Sequence, residues 1–234
     1  MEELIAEIKK KKTLKNLDAS FIKKYITSIP EKKKNIKKTV KETRNILNRI
    51  YGQFWLDNKF NLSSHKSTKE RLEIYSSIYK KIFSITGKPN SILDLGCGLN
   101  PLSYNYLDCK PKYTAVELTK EDCKKINEYF KNNKIDGTAI SKDLTRDSEF
   151  PKADVCFMFK LLESLEEKNH KLSEKLITSI NCKWIIVSFS LLTIRNRRMN
   201  YPRRGWFERM LKRLNLKYEI IKEDNEIFYI LLKG

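Results

Sequence analysis

Apolar residues recur along the chain with two different periods. Over residues 1–62 the spacing is helical. Phe21, Ile22, Tyr25, Ile26 and Ile29 form one stripe, and beyond Pro30 a second runs through Ile36, Val40, Leu47, Ile50, Tyr51 and Phe54. Asp18 is placed to cap the first of these helices. The stretch NLSSHKST, residues 61–68, reads as a linker, with a helix following it through Phe83. From Ser91 onward, strand-like runs at 91–95, 113–118, 154–159 and 184–189 alternate with helical stretches near 120–132, 162–180 and 204–214. Such alternation predicts a parallel sheet with helices on both faces. KYEIIK and EIFYILL, separated by EDN, predict an antiparallel hairpin that closes the sheet. The expected fold class is therefore α/β, a Rossmann-like sheet over residues 63–234 preceded by a helical domain over residues 1–62.

Charge changes this picture from a generic α/β protein to one with a polyanionic partner. The formal charge is +19, but lysine excess alone is also met by a solvated face. Arginine is more telling: of eleven, seven lie between Arg195 and Arg213. The planar guanidinium fork bonds two phosphate oxygens at once. Residues 1–60 add 16 Lys/Arg against 7 Asp/Glu. Nucleic acid is favoured over a membrane surface, and Lys32, Lys33, Lys34, Lys37, Lys38, Arg195, Arg197, Arg198, Arg203 and Arg204 are the expected RNA contacts. No apolar run approaches the roughly 18 residues of a membrane span. The N-terminus carries acids before its basic run and no long apolar stretch, so a secretory signal is not expected. Five cysteines with no C-x-x-C pair argue against a disulfide framework or a zinc site, and fit a reducing cytoplasm. A monomer is expected.

The chemistry-bearing segment is SILDLGCGLNPLS, residues 91–103. Asp94, Gly96, Cys97 and Gly98 follow the first strand, at the sheet edge where ligands of doubly wound folds bind. Glycine lets the backbone turn sharply and approach a ligand. The third glycine of a dinucleotide fingerprint is replaced by Pro101, and Asn100-Pro101 reads as a helix cap followed by a first-turn proline. Asp94 would repel a pyrophosphate but suits a cationic ligand such as S-adenosylmethionine. Glu117, at the end of the second strand, is placed to accept ribose hydroxyls. Asp143, after a third strand, is placed to accept from an adenine amino group.

These residues resemble a known family, the 16S ribosomal RNA guanine-N7 methyltransferases of aminoglycoside resistance. The resemblance spans nearly the whole chain. It rests on STKERL (67–72), ILDLGCGLNPL (92–102), KDL (142–144), FKLLESLE (159–166) and VSFS (187–190), with NY (200–201) before WFE (206–208). It implies a class I methyltransferase fold, with the helical extension gripping the small ribosomal subunit. Arg71 would meet the carboxylate of the cofactor, and Gly96, Cys97 and Gly98 its methionine part. Glu117 would meet the ribose and Asp143 with Leu144 the adenine; Leu118 and Phe159 are further expected cofactor contacts, with Lys160 at the pocket edge. The chain departs from the family in carrying Glu117 in place of the usual aspartate, Ser190 in place of a proline, and an altered loop over 191–205.

Guanine N7 has a lone pair and no proton, so its methylation needs no general base. His65 and His170 are accordingly expected at the surface. Trp206 or Tyr201 is the expected contact of an unstacked target base, with helix-core packing the competing role for Trp206. The Asp/Asn-Pro-Pro-Tyr/Phe motif of amine methylation is replaced by FKLLES. Cys156 lies within a strand, which argues against carbon-5 chemistry. Two alternatives stay open: methylation of another base, and a non-catalytic ribosome-binding factor that retains the fold.

Overall fold

The computed structural model describes residues 1–30, 35–57, 59–165, 170–193 and 197–233. Seven strands form one sheet: β1 (Ser91–Leu95), β2 (Lys112–Glu117), β3 (Gly137–Ser141), β4 (Ala153–Phe159), β5 (Cys182–Ser190), β6 (Lys217–Lys222) and β7 (Glu226–Leu232). Their order is β3-β2-β1-β4-β5-β7-β6. The first five are mutually parallel, and β7 runs antiparallel between β5 and β6. The closing hairpin thus falls where the sequence places it.

Alternation along the strands sorts side chains into two cores. Leu93, Leu95, Cys156 and Met158 face one, and Ile92, Val155, Phe157 and Ile186 the other. Central β4 is almost wholly buried, which is why it reads as an unbroken apolar run, whereas edge strand β6 alternates with exposed Lys217 and Glu219. Helices α5 (Tyr75–Thr86) and α6 (Lys120–Asn132) cover the second core, and α8 (Lys171–Ser179) and α9 (Gly205–Arg213) the first. At the start of α6, Thr119 Oγ1 accepts from the Asp122 amide at 3.1 Å and donates to Asp122 Oδ2 at 2.6 Å. This cap fixes where β2 ends and so where Glu117 points.

A third cluster belongs to the N-terminal helices α1 (Glu2–Lys9), α2 (Ala19–Thr27) and α3 (Ile36–Ile50), and gathers Ile8, Leu14, Ile22, Val40 and Leu47. Asp18 caps α2 through the Ser20 amide at 2.9 Å. Leu118, from the end of β2, packs against this cluster, so the helices rest on the same sheet edge as the glycine turn.

Three local expectations need correction. The segment 61–68 is folded: Asn61 caps a 3₁₀ turn over Leu62–Ser64, and Thr68 bonds back to the Leu62 and His65 carbonyls before α4 (Lys66–Arg71) continues. Among the described residues, the helix expected over 162–180 comprises α7 (Leu162–Leu165) and α8, with 166–169 outside them. Asn100 does not cap a helix; it lies within a 3₁₀ segment, Asn100–Tyr106, and its side chain turns inward to Asp94.

Candidate active site

All eleven residues expected to hold a cofactor line one pocket: Arg71, Asp94, Gly96, Cys97, Gly98, Glu117, Leu118, Asp143, Leu144, Phe159 and Lys160. It opens at the carboxyl ends of β1, β2 and β4, where strand order reverses between β1 and β4. Gly96 and Gly98 have φ of +59° and +52°. A Cβ on Gly96 would lie 2.4 Å from Leu161 Cδ1, and one on Gly98 would lie 2.8 Å from His65 Cε1. Glycine is needed at both for conformation and for space.

Glu117 fastens this turn. Its Oε2 accepts from the Gly98 amide and its Oε1 from the Leu118 amide, each at 2.9 Å. Burial, with the charge of Asp122, pushes its pKa up to about 7 despite these two bonds. Asp94 is also buried, and its Oδ2 accepts from Tyr113 Oη at 2.6 Å and Asn100 Nδ2 at 2.9 Å. Burial raises its pKa to about 6. Two acids thus sit in the pocket near the edge of ionisation, a state that a bound cation would resolve toward the carboxylate.

Arg71 is 1% exposed, and its Nε donates to both oxygens of Glu226 at 3.0 and 2.9 Å. Nη2 donates to Ser67, while among the described residues Nη1 makes only long contacts, 3.4–3.5 Å, to Asn100 and Tyr75. Ser188 and Lys160 also hold Glu226, the latter at 3.3 Å, and Lys160 pairs with Glu70. The attraction of Arg71 and Lys160 outweighs burial and holds the Glu226 pKa below its ordinary value. Lys160 has φ +53° in a non-glycine residue at the end of β4, a strained conformation of the kind concentrated at functional sites. Asp143 Oδ1 takes up the Thr145 amide and hydroxyl at 3.0 and 2.6 Å. Among the described residues, its Oδ2 has only Arg146, at 3.8 Å.

Sequence reasoning missed an entire wall. Phe21, Ile50, Tyr51, Phe54 and Trp55 of the N-terminal part line the same pocket, as do His65 and Ser67. The expectation of a surface His65 is wrong. The residue is 9% exposed, stacked on Phe54 and edge-on to Trp55, and burial with the nearby charges of Arg71 and Lys160 drives its pKa down to about 3. His170 is likewise half-buried, stacked at 3.8 Å and 8° on Trp206. That stack covers one face of Trp206, and Phe189 and Phe207 meet it edge-on, so Trp206 is not an open platform for a base. Tyr201, 85% exposed, is open.

The arginine cluster divides. Arg204 is 7% exposed: Nε pairs with Glu163 at 2.7 Å and Nη2 with the Ser190 carbonyl at 2.6 Å. It braces the loop from within and is withdrawn from the RNA contacts. Arg197, Arg198 and Arg203 are exposed, Arg203 bonding Glu208 at 2.7 Å. Lys37 and Lys38 are exposed on α3, whereas Lys32, Lys33, Lys34 and Arg195 lie outside the described residues.

Residues 57–230 match the family described as ribosomal RNA methyltransferase (FmrO). The chain belongs to this family. Among curated members, a 16S rRNA (guanine(1405)-N(7))-methyltransferase of Proteus mirabilis is 29% identical over 179 residues, covering 73% of this chain and 63% of that protein. One of Serratia marcescens with the same name is 26% identical over 224 residues, covering 89% and 88%. The chain thus spans less than two thirds of the Proteus relative and nearly all of the Serratia one. The 16S rRNA methyltransferase RmtF, solved with S-adenosyl-L-homocysteine, superposes with a TM-score of 0.83 at 18% identity, covering all of this chain and 98% of that one. The 16S rRNA methylase RmtB gives 0.78 at 24%, with the same coverage. The fold of this FmrO-family chain is that of the Rossmann-like methyltransferases.

Proposed function

We propose that the chain is an S-adenosylmethionine-dependent methyltransferase that modifies guanine N7 in the decoding region of 16S ribosomal RNA, a change that would confer aminoglycoside resistance. The observation that carries this is convergence. Five separate segments of the chain, at 71, 94–98, 117–118, 143–144 and 159–160, meet in one pocket at the switch point of the sheet. The names of the family relatives supply the base and the atom.

The pocket fits the cofactor on its own terms. Asp94 and Glu117 suit a ligand that is cationic and bears hydroxyls, and the bare backbone at Gly96 and Gly98 admits close approach. Nη1 of Arg71, without a short partner, is available to the cofactor carboxylate. Glu117 and Leu118 would hold the ribose, Asp143 Oδ2 and Leu144 the adenine, and Phe159 and Lys160 the pocket edge. Bound there, S-adenosylmethionine supplies a methyl group on a sulfonium sulfur. The protein then has one task, to hold the guanine imidazole edge in line. Alignment of this kind is worth up to about 7–11 kcal/mol, and N7, having no proton, asks for no base. Carbon-5 chemistry is disfavoured, since Cys156 is fully buried in β4 and burial raises its thiol pKa well above the ordinary range.

The helical part, residues 1–62, would grip the small ribosomal subunit through Lys37 and Lys38, with Lys32, Lys33 and Lys34 beside them in sequence. Arg197, Arg198 and Arg203 would take phosphates near Tyr201, whose exposed ring offers a face to the unstacked base. A monomer acting in the cytoplasm accords with this substrate. No helix among the described residues is long and apolar enough to cross a membrane.

The test gives purified protein radiolabelled S-adenosylmethionine with assembled small subunits, naked 16S RNA and large subunits in parallel. Labelled RNA is then treated with borohydride and aniline, which cut at N7-methylguanine. Label on small subunits with one cut in the decoding region is the expected result. Label without a cut would move the reaction to another base or atom. No label, with cofactor binding intact, would favour a ribosome-binding factor.

A further inference from the structure

His65 carries a ligand-binding signature that no motif announced. It lines the pocket, yet its buried Nδ1 has no hydrogen-bond partner among the described residues. Nδ1 is sealed from solvent, so the ring can meet a ligand only through its Nε2 edge, the side that lies against Gly98. Packing against Phe54 and Trp55 fixes the ring, so its direction is set before any ligand arrives. The imidazole lies against Gly98, close enough that a Cβ there would be 2.9 Å from Nε2. The Gly98 amide is in turn bonded to Glu117. Imidazole and carboxylate therefore share one neighbour, Gly98, beside the acid assigned to the ribose.

The two groups are chemically complementary. An ionised carboxylate only accepts hydrogen bonds, whereas a neutral imidazole has one donor nitrogen. A vicinal diol needs both, because each hydroxyl donates once and retains lone pairs. We infer that His65 donates a hydrogen bond to a ribose hydroxyl oxygen of the bound cofactor, so that His65 and Glu117 read the diol as a donor–acceptor pair. This rests on the cofactor reading above. The neutrality it requires is provided by burial and by the positive charges of Arg71 and Lys160.

Calorimetry with S-adenosylhomocysteine and its 2′-deoxy and 3′-deoxy analogues tests the assignment on the full chain, His65→Phe and His65→Asn. His65→Phe keeps the stack on Phe54 and removes both nitrogens, while His65→Asn restores a donor. The expected result is an affinity loss of about three- to tenfold in His65→Phe, partly recovered in His65→Asn. Deleting the hydroxyl concerned should then cost the wild type several-fold and His65→Phe almost nothing. Equal loss for all three ligands would make His65 a packing residue and overturn the inference, as would unchanged affinity. Should His65→Phe fail to fold, His65→Leu, which also lacks a donor, makes the comparison against the same ligands, and an absence of coupling there overturns it equally. Failure of the wild type to bind S-adenosylhomocysteine would instead sink the cofactor reading itself.

Discussion

The hydroxyl of Tyr51, at the end of α3, donates to Asp122 Oδ2 in the first turn of α6 across 2.5 Å. Asp122 also completes the cap with Thr119 and is among the charges that raise the pKa of Glu117. The N-terminal helices are thus tied to the segment that carries the ribose acid. Tyr51→Phe removes one buried bond to a charged group and is expected to cost about 1.5–3 kcal/mol. Urea unfolding measures it, and an unchanged midpoint would mean the tie contributes nothing.

Cofactor affinity should depend on pH through Asp94 and Glu117. Their pKa values in the folded protein, about 6 and about 7, lie above the ordinary 3.8 and 4.5. In the free protein, the stability this shift represents is fully present below about pH 4 and is lost as pH rises through 6 and 7. A cationic ligand favours the ionised acids, so binding releases protons and weakens as pH falls through 7 and then 6. Calorimetry at pH 6.5 in buffers of different ionisation enthalpy counts those protons. A count of zero would show that neither acid faces the positive charge.

Gly96→Ala should be damaging twice over. A left-handed φ costs a residue with a Cβ about 1–2 kcal/mol, and the new carbon would strike Leu161. Adding Leu161→Ala relieves the collision but not the backbone cost, so the double variant should regain only part of the lost cofactor affinity. Full recovery in a binding assay would show that conformation is not the constraint.

Arg203 and Arg204 are neighbours with opposite duties. Arg204→Ala removes a buried guanidinium from a half-exposed Glu163 and should destabilise the fold by about 2–3 kcal/mol. The triple variant Arg197→Ala, Arg198→Ala, Arg203→Ala should unfold within about 1 kcal/mol of the wild type while binding small subunits more weakly. Wild-type binding should also fall about a thousandfold between 50 and 200 mM salt if six phosphates are contacted. Filter binding across that range checks both points, and a flat salt response would count against phosphate-led recognition.

The parallel sheet, its closing hairpin and the glycine turn were readable because each has a local cause. Apolar runs mark β4 and β5, Asp18 marks a cap, and paired glycines mark a turn. What escaped was the fate of polar residues whose burial is decided by distant segments. Nothing in NLSSHKST distinguishes His65 from a surface histidine, since its burial comes from Phe54 and Trp55 folding over it. Arg204 stands among arginines that point outward, and Glu163, 41 residues earlier, together with the Ser190 carbonyl draws it in. The apolar wall from Phe21 to Trp55 was legible as helix stripe, but periodicity does not say that one end of a helical core overhangs a ligand site.

The pairing of Arg71 with Glu226 also ties the pocket to the last strand. The partners are 155 residues apart in sequence, and Glu226 arrives only with β7, which must slot antiparallel against β5. Closing so long a loop is slow. Until it closes, Arg71 lacks the carboxylate that balances it, and Lys160 has Glu70 alone. The pocket floor therefore depends on segments from both ends of the sheet, and a molecule synthesised only as far as β6 would have the glycine turn without Glu226 beneath it.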